Sequence, residues 1–185
     1  MAVEDLKALL DHLNITSAHL VGQSMGGWAV MGFALKYPTR VRSLVLADTI
    51  AGVDVPEAVS WRQSPLAGTP PDQLPITQHP ALTNALGRRD PAKAFLYKQI
   101  GGASPAGMSE KLRATSYPLK AVRRLNVPVL VILGDEDEVF PPASVRAVAA
   151  AIKGARLAVL PGVGHSPYFE TPDAWNDVVM TFLGG

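Results

Sequence analysis

The chain has 185 residues, 17 basic and 16 acidic side chains, four histidines and no cysteine, for a formal net charge of +1. That length suffices for one domain with a real core, and so even a balance of charge gives no hold on nucleic acid or an anionic membrane. Without cysteine there is neither a disulfide scaffold nor a thiolate metal site, and the composition suits a reducing compartment. The N-terminus carries Glu4, Asp5 and Asp11 instead of a basic-then-apolar signal pattern, and no apolar run approaches the roughly 18 residues of a membrane helix. A soluble, cytoplasmic protein is expected, with a somewhat apolar mean hydropathy of +0.15.

Val3, Leu6, Leu9, Leu10 and Leu13 recur at helical spacing and predict an amphipathic helix over residues 3 to 13. The run 17–22 reads as a short buried strand ended by Gly22, and Gly26 to Lys36 as a helix stopped ahead of Pro38. Residues 41–48, 127–134 and 156–162 read as three further strands, with a helix from Ala143 to Ile152 between the last two. Thr171 and Pro172 open a final helix, threonine as N-cap and proline in the first helical position. Short continuous apolar strands alternating with helices predict an α/β architecture: a parallel sheet of about four strands with helices on both faces.

Residues 51 to 118 break this rhythm. Nine of the 16 prolines fall here, and only 90–100 and 109–116 look like good helices. Trp61, Phe95, Tyr97 and Tyr117 give the stretch an apolar surface of its own, so it reads as a lid or cap inserted into a core formed by 1–50 and 119–185.

The chemistry concentrates at three places. Gly22-Gln23-Ser24-Met25-Gly26 has the small-x-Ser-x-small pattern of a nucleophile elbow on a strand-to-helix turn. A tight, strained turn lifts the serine oxygen off the sheet, flanking glycines remove clashing side chains, and the Met25 N–H at the helix start can stabilise an oxyanion. Taken alone, the pattern equally describes a plain turn in a glycine-rich chain. The acidic stretch 134–142 follows the third strand directly, and His165 sits in a glycine-rich loop after the fourth. The order is serine, acid, histidine, each after a different strand, at the sheet edge where α/β proteins bind ligands. His12, His19 and His79 lack metal-ligand spacing, and His79 is expected to be exposed in the insertion. No cofactor or metal is called for.

The segments "LLDHLNITSAHLVGQSMGGWAV", "VRSLVLADT", "VPVLVILGDEDEVFPP" and "VLPGVGHSPYFETP" resemble the elbow, following-strand, acid-loop and histidine-loop regions of α/β-hydrolase-fold enzymes. The resemblance covers residues 3 to 185. It implies Ser24 as nucleophile, His165 as general base, and Asp137 as the acid orienting His165, since Asp137 has the family's glycine-x-x-Asp spacing from Gly134. Asp48, at the end of the second strand, is the runner-up acid; Glu136 and Glu138 read as solvated loop charges. The implied activity is a carboxylesterase-like serine hydrolase acting on a small ester-like substrate through an acyl-enzyme. Serine in place of aspartate at the elbow argues against haloalkane dehalogenase or epoxide hydrolase chemistry.

The resemblance is to the C-terminal part of the family. Members place several strands, and a loop donating a second oxyanion N–H, ahead of the elbow strand; no counterpart is seen in this sequence. Loss of one such donor typically lowers rate about 10²–10³-fold, which keeps a second class open: a catalytically silent, truncated interaction module. The strand at 18 to 22 would then be a sheet edge, and a homodimer or larger assembly is expected to cover it.

Overall fold

The computed structural model describes residues 2–58, 75, 78–102 and 115–185. Helix α1 (Ala2–His12) leads into strand β1 (Ala18–Gln23), helix α2 (Gly26–Lys36), a 3₁₀ turn (Pro38–Arg40) and strand β2 (Val41–Ala47). Helices α3 (Asn84–Arg89) and α4 (Pro91–Gly102) lie in the insertion, and the short α5 (Leu119–Val122) returns the chain to the core. Strand β3 (Val129–Gly134), helix α6 (Pro142–Ala151), strand β4 (Arg156–Leu160), the short α7 (Pro167–Glu170) and helix α8 (Pro172–Gly184) complete the order. Residues 109–114 of the expected helix over 109–116, and Trp61, lie outside the described residues; 115 and 116 are not helical.

The four strands form one sheet in the order β1-β2-β3-β4, all parallel. Their apolar runs are continuous because both faces are covered. Leu44, Leu46, Val129, Val131 and Leu133 face the side of α2 and α6, where Trp28, Met31, Phe33, Val145 and Val148 bury their side chains. Their neighbours in sequence, Val45, Ala47, Leu130 and Ile132, face the other side under Val179 and Phe182 of α8. This period of two shows why α2 is apolar almost all round: it is packed in the interior layer, not laid on a surface. The two outer strands, β1 and β4, are less fully covered. Leu20 is buried against the α2 side, but His19 and Val21 are exposed on the other, and α1 packs on α2.

One local expectation is corrected. Thr171 occupies the N-cap of α8, yet its side chain makes no capping bond to that helix; its hydroxyl reaches back to the Pro167 carbonyl, 3.4 Å away. The α8 start therefore rests on Pro172, whose fixed φ suits the first turn. Past β2 the chain stays packed against the main cluster for several residues. Ile50, Ala51, Val53 and Val55 are buried in the main cluster, and Val53 bridges to Tyr117.

The two-sided core makes position on a strand decisive for stability. Truncating Leu133, wholly buried in β3, to alanine is expected to cost about 2–5 kcal/mol, against well under ~1 kcal/mol for Leu157, 40% exposed on β4. Urea unfolding of both variants checks this; equal losses would contradict the layer assignment.

Candidate active site

Everything that converges does so at the C-terminal ends of the strands. Ser24 follows β1 directly and holds φ at +49°, the left-handed region that costs a non-glycine residue energy. The strained backbone is pinned from both sides. The Ser24 N–H donates to the Ala47 carbonyl at 2.9 Å, and the Thr49 hydroxyl donates to the Ser24 carbonyl at 2.7 Å. Gly22 is required by space, because a Cβ there would collide with Val30 and come within 2.8 Å of the Gly26 carbonyl oxygen. The same holds for Gly27, which lies hard against the Thr49 side chain. Gly26 differs from expectation: a Cβ there meets nothing within 4 Å, so the clash relief comes from Gly22 and Gly27.

Met25 forms the N-cap of α2 with an exposed side chain. Its N–H has no acceptor among the described residues and stands at the positive end of an 11-residue helix.

His165 brings its Nε2 to 2.8 Å from Ser24 Oγ and its Nδ1 to 3.0 Å from Asp137 Oδ2. The loop that carries it can approach β3 because Gly134 has no side chain; a Cβ there would strike the Val163 and Gly164 carbonyls. That close approach gives the Gly134-x-x-Asp137 spacing its physical reason, together with the turn closed by the Asp137 N–H on the Gly134 carbonyl at 3.2 Å. Asp137 is held in turn. Its Oδ1 accepts the N–H groups of Val139 at 2.8 Å and Phe140 at 2.9 Å, which leaves Oδ2 for the imidazole. The Phe140 ring packs on the His165 ring with centroids 5.4 Å apart, and Gln23 donates to the His165 carbonyl at 2.8 Å. Glu136 and Glu138 are exposed beside this arrangement.

The structure does not bring Asp48 to His165. Asp48 is fully buried with φ at +45°, its Oδ1 accepts the Gly134 N–H at 2.8 Å, and its Oδ2 has no hydrogen-bond partner. Burial pushes its carboxyl up to about 9; the Gly134 N–H pulls the other way, and the nearby charges of Asp137 and Glu170 push further up. Two acids near one histidine are thereby sorted. Asp137 has the donors that an ionised carboxylate needs, and Asp48 does not.

His79 is not exposed as expected. It is half-buried with its ring edge-on to Tyr97 at 4.9 Å, its Nδ1 accepts the Ala81 N–H at 3.1 Å, and burial holds its pKa below the usual imidazole range. Sequence reasoning also missed Thr49 and Gln23, which brace the serine and histidine backbones, and Glu170, a buried carboxylate at the end of α7. An acid five positions beyond His165 and next to a proline-opened helix was the available signal for the last. Among the described residues no group of three histidine or acidic side chains could hold a metal ion.

A sequence model of the α/β hydrolase fold matches residues 1–172. The chain belongs to the α/β-hydrolase family. A poly(3-hydroxyalkanoate) depolymerase of Ectopseudomonas oleovorans is 29% identical over 184 residues, covering 95% of this chain and 64% of the relative. A 2-hydroxy-6-oxononadienedioate/2-hydroxy-6-oxononatrienedioate hydrolase of Paraburkholderia phymatum is 30% identical over 203 residues, covering 97% and 66%. Among solved structures, a thermophilic esterase from Thermogutta terrifontis superposes with a TM-score of 0.80 at 28% identity, covering 98% of this chain and 70% of that one. This α/β hydrolase thus spans just under two thirds of the length of the two curated relatives.

The neutral Asp48 gives the α/β hydrolase a pH signature. Protonated when folded but ionised when unfolded above its ordinary 3.8, Asp48 makes the unfolded chain bind fewer protons, so its contribution to stability declines as pH rises from 3.8 towards about 9. Asp48→Asn, neutral in both states, is expected to gain stability relative to the parent steadily between about pH 5 and 8. Chemical unfolding at several pH values measures this; a pH-independent difference would contradict a protonated Asp48.

Proposed function

We propose that the protein is a serine hydrolase that cleaves a small ester-like carbonyl substrate through an acyl-enzyme on Ser24. One observation carries the reading: Ser24 Oγ, His165 Nε2, His165 Nδ1 and Asp137 Oδ2 stand in a single hydrogen-bonded series at 2.8 and 3.0 Å. With Asp137 Oδ1 already accepting two N–H groups, Oδ2 accepts the Nδ1 proton. The Nε2 lone pair is then free to accept the serine proton. Ser24 attacks the substrate carbonyl as Nε2 takes that proton, and the Met25 N–H at the α2 N-terminus stabilises the oxyanion. The imidazolium returns the proton to the leaving alkoxide. Water, activated by Nε2 in the same way, then releases the acid product and restores Ser24.

The depolymerase and esterase among the similar proteins support an ester-like substrate, and helices α3 and α4 of the insertion are assigned as a cap beside the site. Incubation with a fluorophosphonate probe is expected to label Ser24, and Ser24→Ala to lose both labelling and turnover of a short p-nitrophenyl ester. Asp137→Asn favours the wrong imidazole tautomer and is expected to lower kcat by about 10⁴, as in serine proteases, while Asp48→Asn leaves it nearly unchanged. Labelling of Ser24→Ala equal to the parent would overturn the nucleophile, and the reverse ranking of the two aspartates would give the acid's role to Asp48.

The reading extends to assembly. β1 pairs with β2 alone among the described strands, and Val21 on β1 is 42% exposed on the face that α8 does not cover. A twofold pairing of two β1 edges would continue the sheet and remove that apolar surface from water. Light scattering at micromolar concentration is expected to give twice the 19.6 kDa chain mass; a cooperatively folded monomer would contradict it.

A further inference from the structure

His165 sits in a loop that contains Gly162 (φ +66°) and Gly164, and the core holds that loop through the Gly162 N–H on Asp135 Oδ1 at 2.6 Å and the Glu136 N–H on the Val163 carbonyl at 3.0 Å. The residues on either side of it are tied to the insertion. On one side, Glu170 is buried and accepts three hydrogen bonds. Its Oε1 takes the Gly164 N–H at 2.8 Å, while its Oε2 takes the Thr83 N–H at 3.1 Å and the Thr83 hydroxyl at 2.6 Å. Thr83 Oγ1 also accepts the Leu86 N–H at 3.2 Å, so the residue that caps α3 is the one bridged to the histidine loop. On the other side, Tyr97 of α4 shares a 2.6 Å hydrogen bond with the fully buried hydroxyl of Ser166. The Tyr97 ring is wedged edge-on between His79 and Phe169, each 4.9 Å away.

The packing follows the same path. Leu82, Leu86 and Ala94 of the insertion form a small apolar cluster with Tyr97, and Phe169 of α7 joins it from the core. Lys93 adds a bond to the Glu170 carbonyl at 3.3 Å. Helices α3 and α4 therefore seat on the segment that carries His165, and none of these contacts has a part in the chemistry described above.

We propose that the Gly164–Glu170–Thr83 bridge and the Ser166–Tyr97 bond make the cap a second support of His165, beside Asp137, Phe140 and Gln23, with Glu170, Thr83 and Tyr97 as positioning residues. Seating of α3 and α4 then sets the rate of the chemical step, not only access to the site. The proposal rests on the serine-hydrolase reading for its rate consequence but not for its geometry. Its physical basis is that the Ser24–His165 bond tolerates little displacement, a misplacement of about 1 Å costing on the order of 10²-fold in rate.

The variants follow from the donor count. Glu170→Gln is isosteric but has one acceptor oxygen for donors on both sides, so its NH₂ must face an N–H. Thr83→Val keeps the volume and loses the hydroxyl; Thr83→Ser keeps it; Tyr97→Phe cuts the second tie. Two readouts are taken on folded protein: the pH titration of the His165 imidazole by NMR, and the rate of fluorophosphonate labelling at Ser24. Glu170→Gln and Thr83→Val are expected to shift the titration and slow labelling about 10- to 100-fold, with KM for a p-nitrophenyl ester nearly unchanged and Thr83→Ser close to the parent. Tyr97→Phe is expected to act in the same direction. Variants that melt at lower temperature yet keep the parent titration and labelling rate would overturn the proposal, leaving the bridge a matter of stability. A parent protein that Ser24 probes do not label, but whose His165 titration still moves in Glu170→Gln, would uphold the positioning claim and overturn the hydrolase reading.

Discussion

The 2.8 Å contact between Ser24 Oγ and His165 Nε2 joins residues 141 positions apart, and much of the architecture serves to make it possible. A parallel sheet sets the C-terminal ends of β1, β3 and β4 on the same side, so the loops that follow them can meet there. Glycine decides the last ångströms. Gly22 and Gly27 let the serine turn close against α2 and Thr49, and Gly134 lets the histidine loop lie against the end of β3. An alanine at any of these places puts a methyl group where backbone or a packed side chain stands.

Three acids are buried among the described residues, Asp48, Asp137 and Glu170, and their hydrogen-bond environments distinguish them. Asp137 faces two backbone N–H groups and the imidazole. Glu170 faces two N–H groups and a hydroxyl, and works on the loop instead of the ring. Asp48 faces one N–H and has an orphaned oxygen, so burial dominates and it stays protonated near neutral pH. In the proposed mechanism the Asp137 carboxylate at the ring orients a single tautomer. A second ionised acid at the position of Asp48 would add like-charge repulsion to Asp137, which its protonation avoids.

Much of this was legible in the sequence because the signals were local. Continuous apolar runs at β2 and β3 announced strands covered on both faces, and the described strands and α2 begin and end within two residues of the positions read from pattern alone. The glycine-x-x-Asp spacing singled out Asp137 over Asp135, Glu136 and Glu138, and Asp137 is the acid in contact with His165. The misses are of a different kind. Glu170 meets Thr83 across 87 residues, and nothing in the order of letters announces such a partner. Gly26 fits the elbow pattern without any steric need for glycine, and Thr171 fits a capping pattern while its hydroxyl bonds elsewhere. His79 reads as exposed beside a proline, yet packing on Tyr97 leaves it half-buried. Pattern identifies residue types at the right places, whereas bond partners depend on tertiary packing.

The central claim is that Asp137 holds His165 with its proton on Nδ1 and its Nε2 turned to Ser24. The low-field proton NMR spectrum reports on that hydrogen directly, since an imidazole N–H held by a buried carboxylate exchanges slowly and resonates far downfield of backbone amides. One such resonance is expected in the parent protein, absent in His165→Ala and in Asp137→Asn, and retained in Asp48→Asn. A resonance that survives Asp137→Asn and vanishes with Asp48→Asn would contradict the account.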